Sequence, residues 1–90
     1  MEQQIRPVDV ICMCSAEGEI RPLRLRLEDE RQELVRIDVE EVVSRKEIPY
    51  VGVEATIFWC RGMLWGRRYL LELKYSMRHH TWYLLRKMRG

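Results

Sequence analysis

The sequence predicts an all-β fold, a small antiparallel barrel or sandwich of about six strands with little or no helix, of SH3, Sm or OB-like size. Three observations predict it. Apolar and polar residues alternate with period 2 through most of the 90 residues, the pattern of half-buried strands. The apolar runs recur at intervals of roughly a dozen residues, which suits a meander closed into a barrel or folded as a sandwich. No segment of ten residues or more keeps the 3.6-residue period of an amphipathic helix.

Val8 to Cys14 is the first apolar run, and Ala16-Glu17-Gly18-Glu19 reads as the turn after it. Pro22 stands near the start of the second strand, where a missing N–H is tolerated. From Leu23 to Glu28 the alternation is clean: Leu23, Leu25 and Leu27 are expected on the core face, Arg24, Arg26 and Glu28 outside. The charged run Glu28 to Gln32 suits a hairpin tip, although it lacks the Gly or Asn that would specify a turn type. Val35, Ile37 and Val39 then face inward on a third strand, with Arg36, Asp38 and Glu40 outward. Cross-strand pairing of Arg24 or Arg26 with Asp38 or Glu40 is expected.

Glu40-Glu41 breaks the alternation, as a bulge or one helical turn would. Ser44 to Gly52, interrupted by Pro49, is read as a loop with at most one turn of helix. Glu54 to Arg61 is rich in β-formers and carries large apolar groups on both faces, as a central strand does. Gly62 and Gly66 bracket Met63-Leu64-Trp65, a hairpin loop with an apolar tip. Arg68 to Tyr75 resumes alternation, with Tyr69, Leu71, Leu73 and Tyr75 on one face. Ser76 to His80 is a polar connection. Thr81 to Lys87 is the last strand, followed by a basic tail from Met88 to Gly90.

Ninety residues make one domain, 1–90. No apolar run of 18 residues exists, so no transmembrane helix is expected. With no signal-peptide h-region near the start, a cytoplasmic address is expected. Cys12, Cys14 and Cys60 are an odd number, which argues against a disulfide framework. They read as small buried hydrophobes, and a lone C-x-C without a second pair is a poor zinc signature. Asp38, Glu40 and Glu41 read as a solvated face and not as a cation site. No nucleophile elbow, phosphate loop or His-Glu-x-x-His occurs. Ser76 and Thr81 flank His79-His80 without a nearby carboxylate. No enzyme activity, metal or cofactor is therefore expected.

Charge is split along the chain. Residues 1–59 hold 8 Lys/Arg and 13 Asp/Glu; residues 60–90 hold 8 Lys/Arg and only Glu72. Basic charge interleaved with aromatics is what a nucleic-acid backbone and its bases use. The leading expectation is a non-enzymatic module for RNA or single-stranded DNA. Arg61, Arg67, Arg68, Lys74, Arg86 and Lys87 would meet phosphates, with Trp65 or Tyr83 stacking on bases. The alternative is a protein-interaction or self-association module, a homo-oligomer formed through Met63, Leu64 and Trp65 or through an edge strand. No membrane partner is expected. Trp82-Tyr83-Leu84 resembles the tripeptide that names the WYL domain, a small bacterial barrel that senses ligands or nucleic acid. The match spans these residues alone and carries over no functional position.

Overall fold

Six strands form in chain order: β1 (Arg6–Cys14), β2 (Ile20–Glu28), β3 (Leu34–Ile48), β4 (Ala55–Leu64), β5 (Arg67–Ser76) and β6 (Thr81–Arg89). They belong to a computed structural model that describes residues 5–29, 31–52 and 54–89. Each strand pairs antiparallel with the next, and β6 returns to β1, closing a barrel. Closure shortens the two edges that an open six-stranded sheet would leave. The seam is short: Arg6, Pro7 and Val8 pair with Leu84, Tyr83 and Trp82.

The meander defines two rims. The start of β1, the β2–β3 turn, the β4–β5 turn and the end of β6 share the first; the β1–β2, β3–β4 and β5–β6 connections share the second. Inward positions fill the interior in rows read from the register. One row joins Phe58, Leu73 and Leu84; the next joins Thr56, Tyr75, Trp82 and Val8. Leu25, Leu27, Ile37, Cys60, Leu64 and Leu71 complete the buried core. Trp82 lies 5.5 Å from Phe58 and 4.9 Å from Tyr75 between ring centroids, tilted contacts of the favoured kind. Arg45 caps the Phe58 ring at 5.4 Å. Every buried side-chain N or O among the described residues has a partner.

Bulges account for most departures from the sequence expectation. The β1–β2 register passes from Ile11↔Arg24 to Cys12↔Pro22, leaving Leu23 extra. The extra residue shifts the phase, so Pro22 is buried and Leu23 is exposed, not inward with Leu25 and Leu27. Glu40 and Val43 are extra on β3. These two bulges bend the strand and let it run on to Ile48, where a loop from Ser44 was expected. Only Pro49 and the residues after it leave the sheet. Leu85 is extra on β6, which continues through Met88 and Arg89; Gly90 of the expected tail lies outside the described residues.

The charged β2–β3 tip is organised by Asp29, whose Oδ1 accepts from the backbone N–H of Arg31 at 2.8 Å and of Glu33 at 2.9 Å. This side-chain turn substitutes for the missing Gly or Asn; Glu30 of that tip lies outside the described residues. On the other side of the chain, Ser15 Oγ does the same for Glu17 and Glu19. No helix long and apolar enough to cross a membrane occurs among the described residues.

Candidate nucleic-acid interface

The expected basic–aromatic residues lie on β4, β5 and β6, three adjacent strands, and in the β4–β5 turn, but three of them are neutralised. Arg61 Nη1 is 2.6 Å from Glu41 Oε1, Arg68 Nε 3.6 Å from Glu40 Oε1, and Arg86 Nη2 2.9 Å from Glu72 Oε1. The first two pairs follow from topology. The acidic strand β3 lies beside β4, and the bulge at Glu40 brings consecutive acids within reach of basic residues on the neighbouring strands. The charge split along the chain is thus partly erased across the sheet. Arg24 pairs with Asp38 at 2.7 Å, as the alternation predicts, while Arg26 pairs with Asp9 on β1.

The remaining positions fall into two groups. Lys74 and Tyr83 face each other across β5 and β6, both half-buried. They stand seven residues along β5 from Arg67, about 23 Å at strand rise. The other group gathers at the first rim. Trp65 and Gly66 form the two-residue β4–β5 turn between Leu64 and Arg67. Their φ angles, 52° and 74°, are both positive, as a type I′ hairpin turn requires. Trp65 is 68% exposed. Leu64, by contrast, turns into the core at 5% exposure, so the apolar tip consists of Met63 and Trp65 without Leu64.

The Leu85 bulge completes this rim. It shifts the phase of β6 so that Lys87 pairs with Leu71 and Arg89 with Tyr69. Lys87 Nζ stands 5.1 Å above the Tyr69 ring, a cation–π contact. Arg89 lies one strand over and two residues along from Arg67, about 8 Å between Cα atoms. Arg67, Lys87 and Arg89 have no carboxylate partner among the described residues. Sequence spacing alone does not reveal that Lys87 and Arg89 come to stand beside Leu71 and Tyr69, because the bulge that turns them there has no signature in composition.

At the second rim, Tyr75 Oη and His80 Nδ1 are hydrogen-bonded at 2.9 Å beside an open cleft lined by Ile20, Arg45, Glu47 and Thr56. Burial, and then the thiols of Cys12 and Cys14, push the Tyr75 hydroxyl above its ordinary range. Cys12 and Cys14 are exposed there, contrary to the expectation of burial, whereas Cys60 is buried and its thiol is pushed up to about 12. No three His, Cys, Asp or Glu side chains among the described residues group as a metal site. No protein family, characterised protein or solved structure matches the chain.

Proposed function

We propose that the chain is a non-enzymatic module that binds single-stranded nucleic acid at the first rim. Trp65 stacks on a base, and Arg67, Lys87 and Arg89 meet phosphates. One observation carries this reading. A bulky, exposed tryptophan occupies a left-handed turn position where Asn or Gly is favoured. Such a residue is held against local preference, and local strain is characteristic of functional positions. Positive charge without carboxylate partners beside it is what a phosphate chain needs, and every base offers a face to stack on.

The test is fluorescence anisotropy with labelled single-stranded RNA, single-stranded DNA and duplex DNA across a salt series. About three to four neutralised phosphates give a log–log salt slope near −2 to −3 on a single strand. Trp65→Asn separates function from folding. It installs the favoured Asn-Gly pair, so stability rises by about 0.5–1 kcal/mol, while affinity falls about 5- to 150-fold through lost stacking. Unchanged affinity in Trp65→Asn, or binding insensitive to salt, overturns the reading.

A further inference from the structure

The two halves of β1 pair on different sides: Arg6–Val8 with β6, and Asp9–Cys14 with β2. On β1, β6 pairs with Arg6, Pro7 and Val8 alone, so beyond Val8 the strand keeps β2 on one side and, among the described residues, no strand on the other. No other backbone hydrogen bond among the described residues involves Val10–Cys14. These residues, Val-Ile-Cys-Met-Cys, contain no charge and no proline. Natural edge strands are normally blunted by such residues, and an unblunted apolar edge is a template for another strand. Ile11 and Met13, 59% and 44% exposed, share the outer face of this arm with the bulged Leu23.

We propose that the β1 arm pairs antiparallel with the same arm of a second copy, giving a twofold dimer centred on Cys12. The free edge itself fixes the register, because Cys12 is the middle of Val10–Cys14. About that axis Ile11 of one copy faces Met13 of the other, twice, and the exposed apolar patch becomes a cross-strand pair. A four-stranded β2–β1–β1–β2 sheet results, with isologous contacts.

Charge favours a second copy as the occupant. In this register the β1–β2 tip of one copy arrives where β6 of the other begins, beside its β5–β6 turn. The tip carries Glu17 and Glu19 and the turn carries Arg78 and His79, none of them in an ion pair among the described residues. Acidic tip and basic turn therefore meet twice across the axis. Asp9 stands at the end of the seam with β6, outside the segment that pairs with the second copy. This inference is independent of nucleic-acid binding, which uses the opposite rim.

Thiol cross-linking reads the register directly. Residues paired across an antiparallel ladder have Cα atoms about 4.5–5.5 Å apart, within disulfide range. Cys14→Ser, keeping Cys12, is expected to form a covalent dimer of about twice 11.0 kDa under mild oxidation. Cys12→Ser, keeping Cys14, is expected to stay monomeric on the same gel, because Cys14 faces Val10 of the second copy. Cys60 is buried in both variants. By light scattering the untreated protein is expected to run as a dimer, and Ile11→Lys to raise its dissociation constant at least about tenfold. A monomeric mass for the unmodified chain at about 100 µM, where contacts of this size register, overturns the proposal. So does cross-linking through Cys14 as readily as through Cys12.

Discussion

Gly62 offers a sharp test of the packing. It sits on an inward row of β4, between Val39 on β3 and Tyr69 on β5. A Cβ there would stand 2.7 Å from Ile37 Cγ2, 3.0 Å from the Asp38 carbonyl oxygen and 3.3 Å from Leu71 Cδ1. Ile37 and Leu71 are both fully buried, so neither can swing into solvent, and the carbonyl belongs to a paired strand. Overpacking of this kind costs about 1–3 kcal/mol. Against it, replacing Gly by Ala stabilises by about 0.4–1 kcal/mol through the unfolded chain. The net expectation for Gly62→Ala is a loss of about 1–2 kcal/mol, and a fall in Tm of about 5–15 °C for a domain of this size. Urea unfolding followed by tryptophan fluorescence measures it, with the slope against urea unchanged. A Gly62→Ala protein as stable as the parent refutes the argument, because the parent packing leaves no room for the methyl.

Three further outcomes follow from the same structure. Leu71→Ala, which empties a fully buried site at the centre of the barrel, is expected to cost about 2–5 kcal/mol, measured by the same unfolding experiment. At pH 8 a maleimide or iodoacetamide should label Cys12 and Cys14 and leave Cys60 untouched until the protein unfolds, since burial holds the Cys60 thiol near 12; mass spectrometry counts the adducts, and rapid loss of the third thiol in the folded state contradicts the burial. Arg61→Ala, which breaks an exposed pair with Glu41, should change stability by no more than about 1 kcal/mol, read from the urea midpoint; a larger loss places that pair in the fold's essential framework.

The alternating strands are legible because side chains on a pleated strand change face at every residue. Leu25, Leu27 and Ile37 are expected inward and are in the core, and Leu71, Leu73 and Tyr75, expected to share one face, are in it together. The errors sit where a strand carries one residue too many. Leu23, Val43 and Leu85 each occupy a bulge that the alternation does not announce, and each shifts the phase that period-2 reading assumes; at Glu40, where the alternation breaks, a bulge was one of the two expected outcomes. The end of β3 was missed because Ser44, Arg45, Lys46 and Glu47 are all exposed and so carry no alternation, and because Pro49 suggests an earlier stop than the sheet enforces. The rim site was half legible: Trp65, Arg67 and Lys87 stand out as basic and aromatic residues, but it is the Leu85 bulge that sets Lys87 beside Leu71 and Arg89 beside Tyr69.

By itself the sequence determined an all-β meander of six strands and most of its core, since alternation and turn spacing are local properties. The tertiary structure decided the rest. Closure of β6 onto β1 made it a barrel and not a sandwich, a choice that depends on pairing between the two ends of the chain. Adjacency of β3 to β4, with β5 next beyond, set acids against Arg61 on β4 and Arg68 on β5 and so dissolved part of the basic surface that the charge split suggested. The short seam left the second half of β1 with an unpaired edge. Which charges neutralise one another and which edge stays open depend on neighbours far apart in sequence, and only the folded chain brings those neighbours together.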